Sequence, residues 1–275
     1  MYTYGVEICW RRKLRYPIMR PDDARLVRYL RRMIEAPPMG GDGTLHPQHP
    51  PWHNVTSYNA TEKAIRDIFA ATEGGVFVEV GAQDGVWLSN TWWLEAARGW
   101  RGLLVEADPL NYHHLRNSPR TSPTLPVCVT TGLTPTQEAL VRRKQPEPWN
   151  TTIGMHQRGQ TMLNRYATPT DLYLGQTWHT TCYPLLTVLA AAGYKQINLL
   201  IFDMAGGGFE LLQDFMTVNM ELGNPFRVQM ILYQDTSLVN EKVISEEAKS
   251  LGYTHLAITA AHFLLLHNSL GVALQ

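Results

Sequence analysis

From residue 61 to the C-terminus, short apolar runs alternate with stretches of helical periodicity, and this rhythm limits the possible folds more than any other feature of the chain. The runs are VFVEV (76–80), GLLVE (102–106), LPVCV (125–129), INLLIFD (197–203) and VQMILY (228–233), followed by 254–259 and 262–267. Helical patterns lie between them, near 90–98, 109–116, 183–192, 208–219 and 240–251. Ahead of the first run, TEKAIRDIFAA reads as a helix capped by Thr61 that buries Ile65, Ile68 and Phe69. Runs this short with few polar interruptions suit strands covered on both faces, and a helix between successive strands supplies the crossover that parallel pairing needs. The expected fold is α/β, a mostly parallel, doubly wound sheet.

Two regions depart from the rhythm. Residues 131–180 are polar and rich in threonine, and read as a lid or variable loop facing the substrate. At the other end, RPDDARLVRYLRRMIEAPP predicts a helix: Pro21 suits its first turn, Asp22 and Asp23 its positive end, and Leu26, Leu30, Met33 and Ile34 form its apolar stripe. Pro37 and Pro38 stop it, and residues 36–53, with five prolines and three glycines, form an irregular connector. The chain therefore divides into an N-terminal basic helix and proline-rich connector (1–60) and an α/β domain (61–275).

Charge and cysteine content narrow the function classes. Lysine plus arginine and aspartate plus glutamate number 24 each, so no global field favours nucleic acid. Nine of the basic residues lie between Arg11 and Arg32, but Arg25, Arg28, Arg31 and Arg32 surround an apolar stripe, as expected for the solvated face of a docked helix. His46, His49 and His53 lack an acidic or cysteine partner at ligand spacing, so no metal site is expected. Cys9, Cys128 and Cys182 are too scattered for a disulfide framework, and Cys182 reads as a buried thiol. No apolar run reaches the roughly 18 residues of a membrane span, so the chain as written reads as cytoplasmic. Asn-x-Thr sequons occur at Asn54, Asn59 and Asn150, and matter only in the secretory pathway.

In an open parallel sheet a ligand lies outside the carboxyl ends of the strands, and EVGAQDG occupies such an end. Gly81 and Gly85 let the backbone turn without a side chain in the ligand's way. Asp84 stands where a phosphate-binding loop would need an anion site; a carboxylate there repels phosphate and welcomes a cation such as the ammonium and sulfonium of S-adenosylmethionine. Glu79 adds a second acid, and Glu106, ending the next strand, can accept hydrogen bonds from both hydroxyls of a ribose. His113 and His114 follow that strand, either as packing residues or as contacts to the adenine or the acceptor, and Trp92, Trp93 and Trp100 read as packing between helix and sheet, with stacking on a ligand as the alternative for one of them.

The segment GGVFVEVGAQDGVWLSNTWWLEAARGWRGLLVEADPLNYHHL resembles the opening of the FkbM-type methyltransferase domain, most closely its arthropod Star-like branch. DDARLVRYLRR…APP upstream and TTCYPLLTVLAAAG…INLLIFD downstream extend the similarity over about residues 22–260. The resemblance implies a class I, Rossmann-like methyltransferase fold with S-adenosylmethionine under the 81–85 loop and its ribose on Glu106, and Ser89 and Asn90 lining the pocket. It also implies secretory-pathway membranes. The family pattern after the fourth strand, Leu-Asp-Val-Glu-Gly-Ala-Glu, is altered here: Asp203 is retained, but Ala205 and Gly208 replace two glutamates, and Gln234 stands where the fifth strand usually carries an acid. The run Gly206, Gly207, Gly208 would loosen this corner or make room for a larger ligand.

These features leave three readings. One is a methyltransferase, an O-methyl transfer enzyme with a divergent acceptor site for an unidentified substrate and Asp203 as its base. Another is an impaired pseudoenzyme of the same fold that binds a nucleoside or serves trafficking or a partner protein. The last is a binding protein that uses its basic N-terminal helix on RNA or anionic lipid.

Overall fold

The computed structural model describes residues 20–37, 56–144, 160–235 and 241–270. In chain order its elements begin with helices α1 (Ala24–Met33) and α2 (Thr56–Phe69), then β1 (Val76–Val80), α3 (Trp92–Arg98), β2 (Arg101–Val105), α4 (Pro109–Arg116), β3 (Thr124–Leu125) and β4 (Cys128–Thr130). The insert supplies β5 (Thr136–Arg142), β6 (Thr161–Leu163), α5 (Pro169–Leu174) and β7 (Gln176–Pro184). The chain then returns through α6 (Leu185–Ala192), β8 (Gln196–Phe202), α7 (Gly208–Glu221), β9 (Arg227–Gln234), α8 (Glu241–Ser250), β10 (Tyr253–Ala257) and β11 (His262–His267).

The seven-stranded main sheet runs β10-β11-β9-β8-β1-β2-β3. Strands β3, β2, β1, β8 and β9 are parallel, and only β11 runs against them, between β9 and β10. The chain winds outward from β1 through β2 to β3 and then starts again on the other side at β8, so strand order reverses between β1 and β8. This is the order of the class I methyltransferase fold, a Rossmann-like sheet with an antiparallel strand slotted in near one edge.

Period-two alternation divides the strand side chains between two cores. Val78, Val80, Leu103, Leu200, Phe202 and Ile231 face α1, α6 and α7, whereas Phe77, Leu104, Leu199, Ile201 and Met230 face α2 and α3. Trp100 packs edge-on against Phe69 in the second core, and Trp93 lies beneath the Arg66 guanidinium. Helix α1 joins the first core through Leu26 and Leu30, and Arg31 donates to the Ala190 and Ala191 carbonyls at the C-terminal end of α6, where a cation is favoured. Just after α1, Glu35 exchanges backbone hydrogen bonds with Thr124 and so covers the free edge of β3.

Four expectations need correction. The run 125–129 is not one strand: Pro126 has no N–H for the ladder, so Thr124–Leu125 stays in the main sheet while Cys128–Thr130 joins a second one. The helix expected from Thr61 starts at Thr56, and Thr61 is a buried interior position rather than a cap. The insert is no loop; its threonines are strand formers, and β4-β7-β5-β6 make a four-stranded sheet. Cys182 is not a thiol, for it lies opposite Cys128 in the β4–β7 register and the two form a disulfide.

Candidate functional site

The cleft opens where β1, β2 and β8 end, at the reversal of strand order. Gly81, Glu106 and Asp203 mark its floor, Val127 and Cys128 one wall, and Thr161, Met162 and Leu163 of the insert its roof. Counting space open to solvent, it holds about 700 Å³. At Gly81 the φ is +89°, and a Cβ there would come within 2.1 Å of the Asp203 carbonyl oxygen, so only glycine lets β1 and β8 end side by side. At Gly85 the φ is +77°, so the turn expected there does need glycine, and its missing Cβ also makes room for Leu115 of α4.

Glu106 is the acid that β2 delivers to the cleft. Its Oε2 accepts from the Gln83 N–H and its Oε1 from the Asp108 N–H, each at 2.7 Å. Burial pushes its carboxyl up to about 7, against the pull of those N–H groups. Its two oxygens offer about four lone-pair sites, so acceptor capacity remains for a ligand hydroxyl. Asp203, at the end of β8, is also raised to about 7, by burial and then by the charge of Glu79. Asn90 Nδ2 donates to Asp203 Oδ2 at 3.2 Å, while Asn90 Oδ1 is buried with no hydrogen-bond partner among the described residues.

The remaining expected ligand residues support the site from outside, and none of them lines the cleft. Glu79 is 1% exposed and accepts from the Ser89 and Thr91 hydroxyls and the Asn90 N–H. Asp84 turns its Oδ1 to the N–H groups of Val86 and Trp87, closing its own loop. In the structure Glu79, Asp84, Ser89 and Asn90 are thus engaged with neighbouring groups of the protein, in the loop directly behind the cleft.

Their organiser is Arg120, which no sequence motif marks. Its guanidinium is fully buried and donates to the Gly85 carbonyl at 2.7 Å, the Ser89 hydroxyl at 2.9 Å and the Thr91 hydroxyl at 2.7 Å. It pairs with Glu95 at 3.0 Å and stands 3.8 Å from Glu79. One guanidinium cannot neutralise two carboxylates equally. Although burial acts on both, Glu95 is held below the usual range by Arg120 and its hydrogen bonds, whereas at Glu79 burial wins and the carboxyl is raised. A sequence shows no signal for this role, since an arginine in SPRTSP looks like any surface loop residue.

The insert is fixed to the cleft at two points. Asp108 caps α4 through the Leu110 and Asn111 N–H groups, and also receives Arg142 of β5 and, at 2.6 Å, the Thr161 hydroxyl of β6. Tyr166 lies across the glycine run. A Cβ at Gly206 or Gly207 would meet its ring at 2.8 or 2.7 Å, and a Cβ at Gly208 would meet the Gln234 carbonyl at 2.2 Å. The Tyr166 hydroxyl donates to Glu210 on α7. The space left by the three glycines is thus filled by the protein itself, not reserved for a larger ligand. Gln234 lines the cleft beside Ala205, and β9 ends there; Asp235 is buried beyond it.

His113, His114 and His179 are exposed and do not line the cleft. Among the described residues no group of three or more His, Cys, Asp or Glu could hold a metal ion; His46, His49 and His53 lie outside those residues. No described helix is long and apolar enough to cross a membrane.

No protein-family model matches the sequence, and no curated protein matches it. Solved structures do. The chain is similar to a METTL16 MTase domain at 10% identity and a TM-score of 0.40, with 74% of this chain and 64% of that one covered. It is also similar to the human methyltransferase 10 domain containing protein (10% identity, TM-score 0.39, 77% and 81% covered). A SAM dependent methyltransferase from Aquifex aeolicus gives 10% identity and a TM-score of 0.36, with 74% and 87% covered. The chain spans less than two thirds of the first of these. Likenesses this distant say nothing about activity, and the fold assignment stands on the strand order itself.

Proposed function

We propose that the cleft binds S-adenosylmethionine and that the protein is a methyltransferase, of FkbM type by its sequence motifs, acting on a hydroxyl acceptor. The observation that carries this reading is Glu106, a buried acid with lone pairs to spare at the end of β2, next to the Gly81 turn and at the reversal of strand order. The residues suit the ligand's chemistry. Glu106 would receive the ribose hydroxyls, Ala107, Val127 and Met162 offer an apolar seat for the adenine, and Asp203 offers negative charge to the cationic end.

When bound, S-adenosylmethionine supplies a methyl group already activated by its sulfonium, so orientation carries much of the rate. A hydroxyl acceptor must lose a proton as its oxygen is methylated, and Asp203, raised to about 7 and lining the cleft, is poised to take it. Asn90 holds the Asp203 carboxylate through Oδ2 and leaves Oδ1 for that proton.

The experiment is a calorimetric titration with S-adenosylmethionine and S-adenosylhomocysteine, beside Glu106→Gln and Asp203→Asn. We expect saturable binding of both ligands, at least tenfold weaker in Glu106→Gln, with affinity largely kept and turnover lost in Asp203→Asn. Equal affinity in Glu106→Gln and the parent overturns the pocket assignment. A second reading, a nucleoside-binding pseudoenzyme with a trafficking or partner role, draws on Ala205 and Gly208, which lack the family's acids, and on Tyr166, which fills that corner. Tight binding with no turnover across a panel of hydroxyl acceptors would favour it. The basic-helix reading is weakened because Arg25 is paired with Asp23 and Arg31 is committed to α6.

A further inference from the structure

We propose that Asn59 is an N-glycosylation site, on a chain that matures in an oxidising secretory compartment. The modification site goes beyond the cleft and does not depend on what it binds; of the two compartments expected from the sequence, it takes the secretory pathway over the cytoplasm.

Two independent observations meet here. The first is the disulfide. Both described cysteines are in it; Cys182 is wholly buried and Cys128 is 4% exposed. Such a pair persists where the surroundings are oxidising and is rare where thiol buffers keep cysteines reduced. The second is Asn59-Ala60-Thr61, an Asn-x-Thr acceptor with no proline in the middle. On α2, Asn59 belongs to an exposed stripe with Lys63 and Asp67, while Thr61, Ile65 and Phe69 are buried. A glycan at Asn59 projects into solvent and displaces nothing from the core. The sequons at Asn54 and Asn150 lie outside the described residues.

The burial of Thr61 also fixes the order of events. A transferase that recognises the sequon needs the threonine hydroxyl, and in the fold this residue is 1% exposed. Transfer must therefore precede the docking of α2. In the reaction a bond forms between Asn59 Nδ2 and C1 of the sugar, the amide gives up one proton, and the C1–O bond to a lipid pyrophosphate carrier breaks, releasing the carrier. No electrons change hands.

The test has two arms. The full chain is first isolated from the cells that make it, alkylated without reductant, and treated with a peptide N-glycosidase that turns a glycosylated asparagine into aspartate. We expect Cys128 and Cys182 to resist alkylation until reduced, and position 59 to read as aspartate. Ready alkylation of both thiols, or an unaltered asparagine in the disulfide-linked chain, overturns the proposal. In the second arm the full chain, behind a cleavable signal peptide, is translated into microsomes carrying lipid-linked oligosaccharide, and the already folded chain is offered to the same membranes after detergent opening. Nascent chain should lose one glycan step in Asn59→Gln, a surface change that leaves the core intact, and folded chain should gain none at this site. Unchanged glycosylation of Asn59→Gln, or modification of Asn59 in the folded chain, counts against it.

Discussion

Glu106 is held under opposing forces, and its titration should be visible in the stability of the whole chain. Burial disfavours its charge, the N–H groups of Gln83 and Asp108 favour it, and burial wins, moving the carboxyl from an ordinary value of 4.5 to about 7. Below about 4.5 the group is protonated whether the chain is folded or not, and its contribution is fully present. As pH rises toward 7 the unfolded chain releases this proton while the folded chain keeps it, so stability falls across that window. Asp203, raised from 3.8 to about 7, adds a slope of the same sign. Asp171 works the other way: Arg143 holds it at about 2, and its stabilisation is lost only as pH falls toward that value. Glutamine at 106 cannot titrate. Thermal melting of Glu106→Gln against the parent should show a shallower decline of Tm between about pH 4.5 and 7, and parallel curves would mean that Glu106 titrates normally in the fold. The same ionisation should govern the ligand, because a protonated Glu106 offers poorer acceptors to ribose hydroxyls; affinity should drop as pH falls through 7.

At the scale of elements, the contact between the insert and the β8–α7 turn depends on what glycine lacks. Gly207 has φ +78° and faces the Tyr166 ring, so alanine there meets both backbone strain and a clash at 2.7 Å. A non-glycine residue in the left-handed region costs about 1–3 kcal/mol, and the ring adds to that unless it moves. Urea denaturation of Gly207→Ala should show this loss, and in a Tyr166→Ala background the cost should shrink to the backbone part. An identical cost in both backgrounds would mean that Tyr166 does not constrain the turn. This contact was invisible in the sequence, where three consecutive glycines read as looseness, because the ring that explains them stands 40 residues earlier than Gly206. The central strands were legible for the opposite reason: VFVEV and INLLIFD are buried on both faces and carry an apolar signal with few polar interruptions. The insert's strands are buried only in part, around Leu140, Val141 and the end of β7, and carry threonine, glutamine and arginine along the rest of their length, which reads as loop. At the site, Gly81 and Glu106 were legible from their places at strand ends, and Asp203 from the resemblance to the family's motif after the fourth strand. Arg120, which shapes the loop between them, was not, since only a fold that buries a guanidinium reveals what it holds.

At the scale of the whole molecule, the described residues form two sheets with the candidate cleft between them, and the Cys128–Cys182 bond lies where they join. Cys128 is in the cleft wall, two residues after the proline that follows the main sheet's edge strand, while β7 begins in the insert and leads straight into α6 of the main core. The two residues are 54 positions apart, so the bond removes about 4 kcal/mol of loop entropy from the unfolded chain on a polymer estimate. That stabilisation should not be shared evenly. The main sheet has two apolar cores of its own, whereas the insert's sheet has a small cluster around Leu140 and the two cysteines, plus the polar ties from Asp108 and Tyr166. Replacing both cysteines by alanine should therefore open the insert before the main sheet. Hydrogen exchange should quicken across β5, β6 and β7 while β1, β8 and β9 stay protected, and overall stability should fall by about 2–4 kcal/mol. Because β6 roofs the cleft, the same variant should release S-adenosylhomocysteine faster with little change in its rate of entry, which stopped-flow binding can separate. If exchange instead quickens equally in both sheets, the two form one cooperative unit, and the bond stabilises the entire fold rather than its cover.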